Sequence, residues 1–292
     1  MRTLLLQLDS SPRPSVFDGI VAYDGGADEV MSYGGVTEDV VRDLVHGCIF
    51  TRGPKDLKNT AIFIGGTDMT AGERLLAAVR NTFFGPMRVS VMLDSNGSNT
   101  TAVAAVVKLL RVAGDATARR AVVTAGTGPV GTRAAGLLAR AGADVVFTSR
   151  TAGHDGLVGE IVKRFGGRVR EVAMPDGSHA AAVLEGAELL LNAGSAGVCL
   201  VPRTARAGTS TLRAIADLNA VPPLGVEGVE VMDDGVDRDG VTLFGALGVG
   251  RLKMKIHKAC IAKLFERNDL VLDAETIAEV AGEIDAAKSW HA

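Results

Sequence analysis

The sequence predicts an α/β protein of two domains with mostly parallel sheets, and three observations carry that expectation. Short apolar runs alternate with amphipathic stretches along most of the 292 residues. Glycine occurs 36 times with no repeat period; against a background of roughly 7%, this suits many tight strand-to-helix turns. One glycine cluster, Gly126-Thr127-Gly128-Pro129-Val130-Gly131, lies between a β-branched run and an Ala/Leu-rich stretch of helical spacing.

The elements follow in order. Thr3 to Leu8 reads as a strand and Ser15 to Tyr23 as a helix after Pro14. Glu29 to Ser32 is a short strand, and Thr37 to Val45 a helix that Thr37 can cap. Thr60 to Ile64 is a strand closed by Gly65-Gly66; Met69 to Phe83 is helical, with Leu75, Leu76 and Val79 on one face; Arg88 to Leu93 is a strand. Such a β-α-β-α-β-α-β alternation implies a parallel sheet covered by helices. A helix rich in Ala and Val then runs from about Asn99 to Gly114. Strands follow at Ala121 to Thr124, Asp144 to Thr148, Leu189 to Asn192, Ile215 to Leu218 and Leu243 to Leu247, then helices at Arg251 to Glu266 and Ala274 to Ala287. Residues 1–98 form the first domain, 99–269 the second, and a helix over 270–288 returns to complete the first.

Composition excludes several classes. With 31 basic and 34 acidic residues the net charge is −3, which offers no attraction to nucleic acid or an anionic membrane. Cys48, Cys199 and Cys260 are odd in number and far apart, so no disulfide framework is expected and a reducing cytoplasm is. The sequence offers neither a signal-peptide h-region nor the roughly 18 apolar residues of a membrane span. No Tyr-x-x-x-Lys occurs: Tyr23 and Tyr33 are followed at that spacing by Ala27 and Thr37. His46-x-Cys48 and His257-x-x-Cys260 are isolated pairs, so no metal site is expected.

The strand running into Gly126-x-Gly128-x-x-Gly131 and then a helix has the form of a dinucleotide-binding, Rossmann-type turn. Gly126 permits the turn, Gly128 admits the pyrophosphate, and Gly131 lets the helix approach the strand; Thr127, Pro129 and Val130 complete the contact. An NAD site would carry an acid about 20 residues on. Thr148-Ser149-Arg150-Thr151 stands there instead. The Arg150 guanidinium suits a 2′-phosphate, with Ser149 adding a hydroxyl, so NADP is the expected coenzyme; a solvated arginine is the plainer reading. Small residues at later strand ends, Ala193, Gly194, Asn219 and Gly248, would let a nicotinamide approach the backbone, or are simply loops.

At this point the chain resembles a known family. The blocks that carry the resemblance include Tyr23 to Asp28, Thr60 to Gly66, Phe83 to Pro86, Met92 to Thr101, Gly126 to Gly131, Asp217 to Gly225, Phe244 to Gly248 and Leu252 to Glu266. Together they are similar to the NADP-dependent methylene-tetrahydromethanopterin dehydrogenases of methylotrophic bacteria, some of which also oxidise methylene-tetrahydrofolate. The resemblance spans nearly the whole chain and weakens over 151–182 and 231–242.

It implies a reduced pterin one-carbon carrier as substrate, a cleft between the domains, and hydride transfer between the methylene carbon and NADP; a homo-oligomer is expected besides. The methenyl product is stabilised by two flanking nitrogens, so no acid–base residue is needed for that step. Lys253 matches the family's active-site lysine, read as a contact to the pterin's polar edge; by periodicity alone it reads as a surface lysine on a basic helix with Arg251, Lys255 and Lys258. Asp18, Asp24, Gly25, Asp94, Asn96 and Thr100 are the remaining substrate-side candidates, and helix or turn caps are the alternative for the polar ones. Two other functions stay open: a folate-only dehydrogenase with cyclohydrolase activity, and a non-catalytic NADP-binding sensor on the same fold.

Overall fold

In the computed structural model, which describes residues 1–289, the chain opens with β1 (Leu4–Asp9), α1 (Val16–Asp24), β2 (Glu29–Tyr33), α2 (Glu38–Ile49), β3 (Thr60–Gly65), α3 (Met69–Thr82) and β4 (Ser90–Leu93). Helix α4 (Ser98–Ala113) leads to β5 (Arg120–Thr124), α5 (Pro129–Arg140), β6 (Asp144–Ser149), α6 (Asp155–Phe165) and β7 (Arg168–Ala173). Next come α7 (Ala180–Leu184), β8 (Leu189–Asn192), α8 (Arg203–Ala207), β9 (Ala214–Asp217), β10 (Asp234–Arg238) and β11 (Val241–Phe244). Helix α9 (Ala246–Leu264), the short β12 (Val271–Leu272) and α10 (Ala274–Ser289) follow. Two units result: Met1–Thr100 with the chain from Met254 onward, and Thr101–Lys253.

The first unit holds a five-stranded sheet in the order β12-β4-β3-β1-β2, parallel throughout. Its central strands read TAIFIG and SVML and are buried at every position, as a parallel sheet covered on both faces demands. Helix α2 turns Val41, Val45, Cys48 and Ile49 inward, and α3 turns Leu75, Leu76 and Val79 inward, onto the same core. The Asp68 carboxylate starts α3 by accepting from the amides of Thr70 and Ala71. Cys48 and Cys260 are buried free thiols; burial pushes Cys48 up to about 12.

The second unit holds a seven-stranded sheet, β10-β11-β9-β8-β5-β6-β7, parallel except for the β10–β11 hairpin. Strands β8 and β9 are buried along their length, whereas β7 and β10 lie at the sheet's two edges and are half-buried or exposed at every position. Among the described residues no helix is long and apolar enough to cross a membrane.

The structure departs from expectation at the end of the second unit. The strand expected over 243–247 ends at Phe244. Only glycine fits at position 245, where a Cβ would lie 1.9 Å from the Glu230 carbonyl oxygen, and α9 begins directly after it at Ala246, five residues before the expected start. Residues 254–269, expected in the second domain, group with the first unit. The packing explains this: the His257 ring stacks on Phe63 at 5.4 Å, Lys258 pairs with Asp24 at 2.6 Å, and β12 extends the first sheet beside β4.

Candidate functional site

In the second unit the glycine turn joins β5 to α5. Ala125 has a positive φ of 53°, a left-handed conformation that costs energy for a residue with a Cβ. The Gly126 amide donates to the Thr148 carbonyl at 2.7 Å, and the Ala125 amide to Thr148 Oγ1 at 3.1 Å, fastening the turn to β6. A Cβ on Gly126 would meet that of Phe147 at 2.4 Å, and one on Gly131 would meet Gly126 Cα at 2.7 Å. Both positions need glycine for close approach. Gly128 is the N-cap of α5, Pro129 begins the helix, and no side chain caps it. Its first-turn amides therefore face outward with the positive end of the helix dipole, the arrangement an anion seeks. Thr127 and Pro129 are exposed, and Gly128 and Val130 half-buried, so a pyrophosphate fits this cradle.

Arg150 is exposed just past the end of β6. Ser149 is buried at 4% exposure, and its hydroxyl lies within hydrogen-bonding reach of the Glu171 carboxylate and, at 2.6 Å, of the Thr151 carbonyl. That commitment within the loop was not legible from the serine's place in the sequence.

Further along the sheet, the last residues of three adjacent strands form a buried polar ladder. Thr124 Oγ1 donates to Asn192 Oδ1 at 2.6 Å, and Asn192 Nδ2 donates to Asp217 Oδ1 at 2.7 Å. Asp217 also accepts from the amides of Asn219 at 3.1 Å and Val226 at 2.9 Å. Sequence reasoning ended two of these strands on Thr124 and Asn192 but ran the third past Asp217 to Leu218, and it missed the ladder; the signal was a polar residue at or beside each strand end. Asn219 is held within its own loop: its Nδ2 donates to the Ser195 and Pro223 carbonyls, and its Oδ1 accepts from the Val221 amide. Ala193 and Gly194 lie half-buried just past β8, where the Ala193 amide donates to the Thr124 carbonyl at 3.1 Å. Gly248 packs in α9 against the Asp233 backbone, 1.8 Å from where its Cβ would lie.

In the first unit, the carboxyl ends of β1, β3 and β4 gather several of the expected substrate residues. Asp94, fully buried, accepts from the Thr100 amide at 2.9 Å and from its hydroxyl at 2.6 Å, so both residues build the loop that starts α4. His257, also fully buried, places Nδ1 4.0 Å from Asp94 Oδ2. Asn96 is exposed at the tip of this loop with a φ of 55°, its amide donating to the Gly66 carbonyl at 2.6 Å. Asp18 lies in the first turn of α1, and its Oδ2 is 3.5 Å from where a Cβ on Gly65 would sit. Asp9, at the end of β1, is buried and accepts from the amides of Ser11 and Ser15; sequence reasoning did not single it out.

Asp24 and Gly25 are not brought to this cluster. They end α1, which runs back along β1, and the adjacent Gly26 carbonyl accepts from Thr3 at the opposite end of that strand. Asp24 pairs with Lys258, and Gly25 packs beneath Ile261, whose Cβ would lie 2.6 Å from one on the glycine. Lys253 is half-buried about two turns into α9, and one turn ahead of His257 on the same helix face.

Comparison with known proteins adds an independent line. Residues 16–96 match the family described as methylene-tetrahydromethanopterin dehydrogenase, N-terminal. The chain is 48% identical over 285 residues to the bifunctional protein MdtA of Methylorubrum extorquens, covering 97% of this chain and 99% of that one. It is 31% identical over 299 residues to the NAD(P)-dependent methylenetetrahydromethanopterin dehydrogenase of the same organism, with coverage of 97% and 99%. Among solved structures, shikimate 5-dehydrogenase of Listeria monocytogenes superimposes with a TM-score of 0.56 over 96% of both chains at 12% identity, a likeness of fold alone. Two full-length relatives above 30% identity, and the match over most of the first unit, leave one conclusion: the chain belongs to the methylene-tetrahydromethanopterin dehydrogenase family.

Proposed function

We propose that this protein transfers a hydride reversibly between the methylene carbon of methylene-tetrahydromethanopterin, and also of methylene-tetrahydrofolate, and NADP. The observation that carries the reading is the glycine turn: a close-packed strand-to-helix junction whose helix start has no side-chain cap, with Arg150 just past the end of the next strand. Two relatives in one family add support: the one at 31% identity is named as an NAD(P)-dependent dehydrogenase of this pterin, and the one at 48% as bifunctional.

When bound, NADP supplies the hydride acceptor. The chain's own residues bind and orient. The Gly126–Gly131 turn, with Thr127, Pro129 and Val130, would hold the pyrophosphate, and Arg150 would hold the 2′-phosphate as a charge-assisted partner. The loop after β8, with Ala193 and Gly194, forms the nicotinamide side. Asp18, Asn96 and the Asp94–Thr100 loop serve the pterin, and Lys253 contacts its polar edge. Because the methylene carbon lies between two nitrogens that stabilise the resulting cation, orientation and electrostatics suffice, and no side chain has to move a proton.

The test is turnover. Purified protein mixed with NADP and either methylene carrier should raise the absorbance of reduced nicotinamide; silence with both carriers despite tight NADP binding overturns the enzyme reading. Arg150→Ala should weaken NADP by about 10- to 100-fold, the worth of a charge-assisted contact at roughly 1.5–3 kcal/mol, while NAD changes by less than about twofold. Equal losses for both coenzymes in a binding titration remove the 2′-phosphate role.

A further inference from the structure

Glu171 sits on β7 in register with Phe147 of β6. Its side chain is 7% exposed. Four donors converge on its carboxylate. Ser149 Oγ and His154 Nδ1 reach Oε1, while the amides of Gly153 at 3.2 Å and His154 at 2.8 Å donate to Oε2. A carboxylate offers about four acceptor positions, so this one is saturated. Burial opposes its ionisation, yet the bonds from Ser149, His154 and Gly153 prevail and bring its pKa down to about 2.

The consequence for Ser149 is specific. Its single hydroxyl hydrogen is shared between Glu171 and the Thr151 carbonyl, which leaves none to donate to a phosphate. Successive amides turned toward one point, as at Gly153 and His154, form a nest that binds anions, and here an internal carboxylate fills it. The acid that an NAD site presents at the end of its second strand comes in this chain from the neighbouring strand, 22 residues beyond Ser149. It is turned inward, with its lone pairs withheld from ribose hydroxyls.

We propose that Glu171 is a positioning residue that sets coenzyme selectivity: by filling the nest of the 149–154 loop it fixes the backbone that presents Arg150 to the 2′-phosphate, and Ser149 acts through Glu171 rather than by touching the coenzyme. The inference rests on the NADP reading above. A loop already ordered in the free protein binds without the cost of being ordered by its ligand. NADP, which uses Arg150, gains from that order, and NAD, which does not, gains little.

The experiment is a double-mutant cycle on the full chain, reading KM and kcat with NADP and with NAD for wild type, Glu171→Gln, Ser149→Ala and the double variant. Glu171→Gln should raise KM for NADP by about tenfold, with kcat and the NAD constants within about threefold, because four loop contacts are lost or weakened. Ser149→Ala should raise KM for NADP several-fold alone and add nothing in the Glu171→Gln background. Hydrogen exchange at the amides of Gly153 and His154 should accelerate in both coenzyme-free variants. If Glu171→Gln fails to fold, Ser149→Ala carries the same coenzyme comparison together with the exchange measurement. Full additivity, unchanged exchange in Ser149→Ala, or equal losses for NADP and NAD overturns the proposal. A wild type with no Arg150-dependent preference for NADP overturns the underlying reading and this proposal with it. An intact preference that Glu171→Gln leaves unchanged overturns this proposal alone.

Discussion

Gly131→Val sharply weakens coenzyme binding while leaving a folded protein: that is the largest effect expected at the candidate site. A Cβ at position 131 would lie 2.7 Å from Gly126 Cα and 2.8 Å from the Ala125 carbonyl oxygen. Both are main-chain atoms, so no rotamer change relieves the clash. Helix α5 has to withdraw from the turn, and its first-turn amides leave the place where the pyrophosphate would sit. Titration calorimetry should show NADP weakened by at least about 100-fold, equivalent to roughly 2.7 kcal/mol. Gly128→Ala is the informative contrast. Its Cβ meets nothing closer than the Ala125 carbonyl at 3.7 Å, so the fold and the turn should survive. Binding by Gly131→Val within about threefold of wild type would show that the turn does not hold the coenzyme.

The second large effect falls on stability. Asp217 is 1% exposed and accepts from Asn192 Nδ2, the Asn219 amide and the Val226 amide. Asp217→Ala removes the acceptor and leaves three buried donors without it, each costing about 1–3 kcal/mol with incomplete additivity. A total near 4 kcal/mol corresponds to a fall of roughly 8–16 °C in the melting temperature of a unit of this size. Asp217→Asn keeps the shape and one acceptor oxygen, so it should lose about half as much. Scanning calorimetry decides the matter: a fall below about 2 °C for Asp217→Ala would mean that the ladder contributes little. Because Asn192 also orients the start of the loop carrying Ala193 and Gly194, weaker coenzyme binding should accompany the lost stability.

These two effects differ in how readily their causes can be read from sequence. The glycine turn is local. Its three glycines, the strand before it and the helix after it lie within about twenty residues, and both periodicities are strong. Strands β3 and β4 were equally plain, because burial on both faces leaves uninterrupted apolar runs. Strand β7 reads Arg-Val-Arg-Glu-Val-Ala and β10 reads Asp-Gly-Val-Asp-Arg. At the edges of a sheet such strands need few apolar side chains, so composition does not announce them. Helix α6 went unseen beside β7, inside the stretch where the family resemblance also weakens.

The polar ladder is of another kind. Thr124 and Asn192 are 68 residues apart, and Asn192 and Asp217 are 25 apart. They meet only because the strand order is β9-β8-β5, which no local pattern encodes. Glu171 reaches Ser149 for the same reason, through the pairing of β6 with β7. Asp24 shows the reverse case: its neighbours in sequence resemble the family, yet the direction of α1 takes it away from Asp18 and Asp94 and into an ion pair with Lys258.

By itself, then, the sequence determined the α/β class, the parallel alternation and the glycine turn, because each is written in contiguous residues whose spacing is the physics of one strand, one turn or one helix; the family was legible from the identity of residues in blocks along the chain. Tertiary structure alone decided which polar groups face each other across strands: that Asp94 is engaged with Thr100, that Asn219 closes its own loop, and that the acid beside the coenzyme's expected ribose corner is Glu171, turned inward. Hydrogen bonds between strands depend on sheet order and register, and those are set by how whole helices and strands pack.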